Sequence, residues 1–132
     1  MAKKPRRSVA KARAGAPKVT RKASETCLQM HCQQWLEKSY IWNNYLIFHV
    51  PNERRGGIGA IMHFKRMGVR PGVADYLMFT NRNAAIEIKD DKGKQRKGQE
   101  KFQRDWESLG HLYFVVRTLE EFQGIITALT LF

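Results

Sequence analysis

The sequence predicts an α/β fold in which a small mixed sheet is flanked by helices. Short apolar runs bounded by turn residues alternate with longer segments whose apolar residues recur at helical spacing. Two of the short runs follow each other across a tight polar turn, which predicts a β-hairpin. The hydrophobic content of 42% and the 14 aromatic residues, which begin at Trp35, can support one compact core.

The first part of the chain predicts a helix, a strand and a second helix. Ser24 is a good helix N-cap, and apolar residues recur after it at helical spacing as far as Lys38. Pro51 ends an apolar run, and Gly68 stands in the usual position just after a helix. The predicted elements are a helix over 24–38, a strand over 45–50 and a helix over 58–67.

The second part predicts two strands, a helix, a strand and a helix. A polar turn over 81–83 joins the first two strands. Phe102, Trp106 and Leu109 share one face of the next helix, and Thr118 caps the last one. The predicted elements are strands over 75–80 and 84–89, a helix over 99–109, a strand over 112–116 and a helix over 119–129.

The net charge of +12 is concentrated at the N-terminus. Residues 1–22 contain nine of the 24 Lys and Arg and no acid, which leaves 15 bases against 12 acids, or +3, for residues 23–132. The segment has too few apolar residues for their burial to offset the conformational entropy lost on folding. We therefore expect a disordered basic tail over 1–23 and one folded domain over 24–132. The tail is either a solubilising segment or an arm that holds phosphates.

Charge and hydropathy also restrict the partners and the compartment. A chain this basic favours a polyanion, and the tail lacks the alternation of apolar and basic residues that favours a membrane surface. No apolar run approaches the roughly 20 residues that span a bilayer, so no membrane association is expected. Cys27 and Cys32 point away from each other on the predicted helix, which indicates reduced thiols and a cytoplasmic protein. Cys27 and His31 share a helix face, but no second cysteine pair supports a metal site there.

Charged side chains share one face of the predicted hairpin. Side chains alternate along a strand, so Glu87 and Lys89 lie opposite the face of the neighbouring isoleucines. The hairpin places Asp75 opposite about residue 89, allowing a slip of a residue or two. Two carboxylates and the carbonyl of Ile88 are hard ligands suited to Mg²⁺ or Mn²⁺, and Lys89 could neutralise charge on an attacked phosphate. An ordinary exposed strand face with a Glu–Lys pair remains the alternative.

Five segments in chain order carry recognisable motifs. They are ExxLQxxCxxW at 25–35, HVPNE at 49–53, RPGVADYL at 70–77, IEIK at 86–89, and Gln99 at the start of a helix. Together these segments span about residues 25–122 and resemble the VRR-NUC family of PD-(D/E)XK nucleases. Ala74 stands where that family commonly has a proline. We therefore expect the backbone before Asp75 to be less rigid than in the family, with the chemistry retained.

The resemblance implies a restriction-endonuclease-like core and a role for each matched residue. It makes Asp75 and Glu87 metal-binding acids and Lys89 the catalytic lysine. Gln99 matches a position that orients the lysine or the substrate, with a simple helix-terminal role as the alternative. Glu25 matches a glutamate that can complete the metal site, and stabilisation of the helix dipole is an equal alternative for it.

The resemblance and the charge pattern suggest further binding residues. His49, Asn52 and Glu53 form a possible site loop that could approach the metal or the substrate backbone, although a solvated loop is nearly as good an interpretation. Basic loop residues would add phosphate contacts around the site, or simply be solvated. They are Arg54, Arg55, Lys65, Arg70, Lys92 and Lys94.

These expectations combine into one predicted function and its rivals. The resemblance implies a DNA endonuclease that uses Mg²⁺ or Mn²⁺, similar to stand-alone viral or phage members, which would place it in a host cytoplasm. It also implies a homodimer selective for branched DNA such as a four-way (Holliday) junction. The alternatives are a non-catalytic basic nucleic-acid-binding protein, and a nicking enzyme or exonuclease with the same core.

Overall fold

The computed structural model describes residues 21–52 and 56–132, with side chains from Ser24 onward. Residues 1–20 of the expected tail lie outside the described residues, as do Glu53, Arg54 and Arg55. Within the described part, no helix has both the length and the apolar character needed to cross a membrane.

The described residues form an α/β fold, as the sequence predicts, with one small helix added to the predicted order. Helices and strands alternate except at the start, where two helices follow each other, and at the hairpin formed by the second and third strands. The elements are α1 Arg21–Lys38, α2 Ile41–Asn44, β1 Leu46–His49, α3 Ile58–Arg66, β2 Tyr76–Phe79, β3 Ala84–Ile88, α4 Lys97–Ser108, β4 Leu112–Val116 and α5 Leu119–Leu129.

The four strands form a mixed sheet in the order β1-β2-β3-β4. The first two pairs are antiparallel, whereas β3 and β4 are parallel and therefore need the crossover that α4 supplies. Tyr76 pairs with Ile86, which fixes the register of the predicted hairpin. This register decides which side chains of β2, β3 and β4 share a face.

One face of the sheet forms the main core with α1 and α5. Tyr76 of β2 is fully buried, and its ring lies 5.5 Å from that of Phe122 on α5, in an edge-on arrangement. Trp35 of α1 approaches the same Phe122 ring at 6.1 Å. The other buried side chains of this cluster include Cys32, Leu36, Met78, Ile86, Ile88, Val116, Ile126 and Leu129.

Among the described elements, α4 covers one half of the opposite face and none covers the other half. Phe102 of α4 lies 6.3 Å, ring to ring, from Tyr113 of β4, and Trp106 donates a 2.6 Å hydrogen bond to the carbonyl of Leu112. Along β1 and β2, Leu46, Phe48 and Phe79 remain exposed on that face. The half that α4 covers carries the candidate site.

Several predicted boundaries differ from the structure. The first helix begins at Arg21, so Ser24 lies inside it rather than capping it. The short helix α2 was not predicted, because four residues are too few to show apolar residues recurring at helical spacing. Leu109 does not share the packed face of α4: the helix ends at Ser108, Gly110 turns the chain with φ +85°, and Leu109 is 72% exposed. By contrast, α5 matches its predicted range.

Candidate active site

The hairpin brings the two predicted acids together. Extended by one residue, the observed register places Asp75 opposite Glu87, within the slip that the sequence prediction allowed. One carboxylate oxygen of Asp75, Oδ2, accepts a 2.7 Å hydrogen bond from the backbone N–H of Ile88. Asp75 therefore closes the end of the hairpin with its side chain.

Glu87 and Lys89 form a buried ion pair on the face covered by α4. Lys89 Nζ lies 3.5 Å from Glu87 Oε1, and Glu87 is only 1% exposed. The hydroxyl of Tyr113 on β4 donates a hydrogen bond to the other oxygen of Glu87. An ordinary exposed strand face, the alternative left open by the sequence, is therefore wrong.

A cavity of about 700 Å³ opens at this end of the hairpin. Asp75 and Lys89 line it, but Glu87 does not, because its carboxylate is turned toward Tyr113. The other predicted site residues on its walls are Glu25, His49, Asn52, Ile88, Lys94 and Gln99. The structure thus brings together most of the residues that the motifs selected.

Glu25 reaches the cavity from α1. A methyl group on Gly93 would lie 2.9 Å from Glu25 Oε1 and 3.3 Å from Lys89 Cδ, so both side chains pack against this glycine. Because α1 begins at Arg21, Glu25 is in its second turn and not at the positive end of the helix. The helix-dipole alternative is therefore weaker than the sequence indicated.

The electrostatics of the cavity disfavour two unaccompanied negative charges. Burial raises the pKa of Asp75, and the nearby Glu25 raises it further, against the hydrogen bond from Ile88 and the charges of His49 and Lys89. Burial also raises the pKa of Glu87, whereas the Tyr113 hydrogen bond and Lys89 lower it. A cation beside these carboxylates would offset the cost of burying them.

The donor set fits a small hard cation held partly by the protein. Asp75 and Glu25 offer carboxylate oxygens to one cavity, which suits Mg²⁺ or Mn²⁺. Among the described residues, no three His, Cys, Asp or Glu side chains cluster closely enough to hold a metal by themselves. Mg²⁺ commonly uses one or two carboxylates and completes its shell with water and substrate phosphate, so the two acids suffice.

Gln99 occupies the third position of α4 and supports the helix terminus. Its Oε1 accepts a 2.8 Å hydrogen bond from the backbone N–H of Arg96, which is one half of a capping interaction. No hydrogen bond joins Gln99 to Lys89 in the described part of the chain. The structure therefore shows the helix-terminal role, at a position on the cavity wall.

The loop after β1 is anchored to the segment that carries Asp75. His49 Nδ1 lies 2.7 Å from the carbonyl oxygen of Asp75 and 3.0 Å from Gln29 Nε2. Asn52 donates a 2.9 Å hydrogen bond from Nδ2 to the carbonyl of Val73. His49 and Asn52 of the predicted site loop therefore hold the Asp75 segment in place.

The predicted basic residues do not all surround the cavity. Lys94 lines it, together with Arg96 of the same basic loop. Lys92 and Arg70 are exposed but lie outside its lining, and Lys65 lines a second, neighbouring groove.

Two further side chains that sequence reasoning missed hold the site together. Besides Tyr113, the guanidinium of Arg117 at the end of β4 donates from Nη1 to the carbonyls of Asp90, at 2.5 Å, and Gly93, at 2.8 Å. It thereby fixes the loop that follows Lys89. A lone arginine ending an apolar strand was the available signal for Arg117, whereas nothing local marked Tyr113.

Comparisons with known proteins were made at the level of sequence and of structure. No family model matches the sequence, and no curated protein matches it either. Among solved structures, the chain is similar to a VRR_NUC domain protein, with a TM-score of 0.68 and 21% sequence identity over 80% of this chain and 87% of that chain. This similarity supports the resemblance seen in the motifs. The chain therefore has the fold of a VRR_NUC domain protein.

Proposed function

We propose that this protein is a nuclease that hydrolyses DNA phosphodiester bonds with Mg²⁺ or Mn²⁺. The observation that carries the proposal is the convergence of Asp75, Glu25 and Lys89 on one cavity at the end of the hairpin. The shared fold with a VRR_NUC domain protein supports it. Carboxylates would repel a phosphate without an intervening cation, so a simple anion-binding role does not explain them.

Each residue has a separable part in the proposed reaction. Asp75 uses Oδ2 for Ile88, which leaves its other oxygen for a cation shared with Glu25. When bound, Mg²⁺ or Mn²⁺ supplies a water of lowered pKa and offsets charge on the attacked phosphate. Lys89 donates to the phosphate oxygens, and Glu87 holds the ammonium in place. A ligand role for Glu87, as the motif implies, would require its carboxylate to leave Tyr113.

We further propose that the substrate is branched DNA and that the enzyme acts as a homodimer. The nine basic residues before position 23 would hold phosphates without reading sequence. Two copies would place two cavities on paired strands, as a four-way junction requires. The exposed Leu46, Phe48 and Phe79 give a second copy an apolar surface, with the Phe48 and Phe79 rings stacked 6.0 Å apart. The proposal includes a phage-type enzyme that acts in a host cytoplasm.

The decisive assay compares cleavage of linear, nicked and four-way DNA with Mg²⁺, Mn²⁺ or EDTA. We expect metal-dependent cleavage that Asp75→Ala and Lys89→Ala reduce by at least about a hundredfold. Lys101→Ala is the control, because Lys101 is exposed on α4 and pairs with Asp105 away from the cavity. Undiminished cleavage by Lys89→Ala would remove the site assignment.

The same assay separates the two alternatives. Binding without metal-dependent cleavage on any substrate would identify a non-catalytic nucleic-acid-binding protein, which the overall basic charge alone would allow. Cleavage restricted to strand ends or to one strand would identify an exonuclease or a nicking enzyme. The mass of the active species by light scattering tests the homodimer, and a monomer that cuts both strands of a junction would contradict it.

A further inference from the structure

A second cavity, which we call the α3 groove, adjoins the candidate active site. It has a volume of about 400 Å³ and lies between α3, residues 51–52 before that helix and residues 69–71 after it. Its apolar walls are Ile61, Met62 and Phe64 of α3, with Pro51, Val69 and Pro71 from the loops.

The α3 groove and the candidate active site share two residues. Asn52 and Pro71 line both cavities. Asn52 is held at this boundary because its side chain donates to the carbonyl of Val73. A molecule that occupies the active site therefore has an apolar recess directly beside it.

The walls of the α3 groove are apolar but open to solvent. Met62 is 45% exposed and Phe64 is 43% exposed, and α3 buries none of its residues. Within the described part of the chain, no other helix or strand packs closely against α3. Lys65 contributes a positive charge to the same lining. Exposed apolar surface bordered by charge is typical of a binding site.

We infer that the α3 groove receives one unstacked nucleobase of the strand whose phosphate lies in the candidate active site. The inference rests on the proposed function. A phosphate beside Lys89 would lie in the cavity that Asn52 and Pro71 also line, so a base of the same strand can reach that shared wall. The Phe64 ring can stack on any base, while Lys65 can contact a flanking phosphate. The volume of about 400 Å³ is at the lower end of the range of about 300–1,000 Å³ for ligand sites, as suits a single base.

This site would narrow the substrate class. Bases inside an intact duplex are paired and stacked, and extruding one is least costly at a mismatch, a branch point or a single strand. The α3 groove would therefore select DNA in which a nucleotide beside the cut is unpaired. Selectivity would come from local structure rather than from base sequence.

The first test measures unstacking. 2-Aminopurine is placed in turn at each nucleotide around the branch point of a four-way DNA, and the protein is added with Ca²⁺ in place of Mg²⁺ after cleavage has been shown to be absent. We expect fluorescence to rise at one or two positions with the wild-type protein and to fall back with Phe64→Ala. This binding test needs no cleavage, so failure of the proposed activity and failure of the inference are separate outcomes.

The second test measures contact between the base and the groove. Phe64→Ala should weaken binding of the normal DNA by about five- to 150-fold, the range for one lost base–aromatic stack. Phe64→Ala should hardly weaken binding of DNA that lacks the base at the nucleotide where fluorescence rises. Removing the ring and removing the base abolish the same contact, so the second change adds little to the first. Met67→Ala is the control, since Met67 is exposed just after α3 and outside the groove lining.

Three results would overturn the inference. Fluorescence could stay unchanged at every position, or Phe64→Ala could weaken normal and abasic DNA equally. Light scattering could also show that Phe64→Ala turns a dimer into a monomer, in which case the α3 groove is a contact between two copies of the chain.

Discussion

At the scale of single residues, the site depends on charges that the fold itself disfavours. Asp75 and Glu87 are carboxylates whose pKa values are raised first of all by burial. Each is kept in place by hydrogen bonds, from the Ile88 N–H to Asp75 and from the Tyr113 hydroxyl to Glu87. Replacing one of these groups at a time should therefore affect catalytic activity differently from the free energy of unfolding.

Replacement of Asp75 by Asn should stabilise the metal-free protein at neutral pH. The folded-state pKa of Asp75 is raised, so its contribution to stability is fully present below the unfolded-state pKa and is lost as the pH rises through the folded-state value. Asn can still accept the Ile88 hydrogen bond without the charge. We expect a gain of about 0.5–2 kcal/mol, or about 2–8 °C in thermal midpoint, measured in EDTA.

Two controls test whether the stabilisation comes from removing the Asp75 charge. The advantage of Asp75→Asn should shrink as the pH falls, and added Mn²⁺ should stabilise the wild type but not the variant. Asp105→Asn removes an exposed carboxylate on α4 that pairs with Lys101, and should not show this pattern. A midpoint below that of the wild type in EDTA at neutral pH would contradict the account.

Replacement of Tyr113 by Phe should lower both stability and activity. It removes a donor to the buried Glu87 carboxylate, and hydrogen bonds to charged groups are worth about 1.5–3 kcal/mol. Glu87 would then hold Lys89 less firmly, so we expect kcat to fall more than KM changes. Tyr45→Phe is the matched control: it loses a 3.2 Å bond to the carbonyl of Thr130, far from the cavity, and should leave kcat unchanged. Equal effects of the two variants on kcat would exclude this role for Tyr113.

At the scale of elements, a contact between backbones joins the Asp75 segment to α4. Gly72 has φ +78°, and a Cβ there would lie 2.2 Å from the carbonyl carbon of Gly98 and 2.6 Å from the backbone nitrogen of Gln99. No rotation of a side chain can relieve such a clash. The turn before Asp75 and the start of α4, both on the cavity wall, are thus fixed relative to each other.

The two glycines of this contact should respond differently to alanine. Gly72→Ala should destabilise the protein by at least about 2 kcal/mol, from the left-handed backbone and the clash together. Gly98→Ala should be neutral, or stabilising by up to about 1 kcal/mol, because a Cβ there meets its nearest atoms at 3.8 Å and Ala favours the helix. Urea unfolding of both variants is the measurement. If both variants lose a similar free energy of unfolding, the two backbones do not approach each other as closely at Gly72 as the structure places them.

Local pattern was enough to predict most elements but not the details of the site. The hairpin was predictable because the turn at 81–83 and the alternation along β3 are local signals. The roles of Tyr113 and Arg117 depend on how β4 pairs with β3 across a whole helix, and no local signal encodes that register. For the same reason the sequence placed Glu87 on the correct face but could not show that its carboxylate is turned away from the cavity.

At the scale of the whole molecule, most of the net charge lies near the N-terminus in sequence, before the residues that line the cavity. Residues 23–132 carry a net charge of +3 out of the total of +12. The cavity itself contains acids as well as Lys89, Lys94 and Arg96. We therefore expect affinity for DNA to depend mainly on the N-terminal basic residues and the chemical step to depend on the folded domain.

Deletion of residues 1–20 should weaken DNA binding while leaving turnover intact. The deleted segment contains seven of the nine N-terminal Lys and Arg, and each phosphate contact that is lost should reduce the slope of log K against log salt by about 0.9. Binding is measured across a salt series, and cleavage is measured at saturating DNA, where kcat should stay near that of the full chain. A full-length variant with the seven bases changed to Gln separates charge from length. If both proteins keep the original slope, the segment is only solubilising, and the folded domain must supply the phosphate contacts through surface residues such as Lys92 and Arg70.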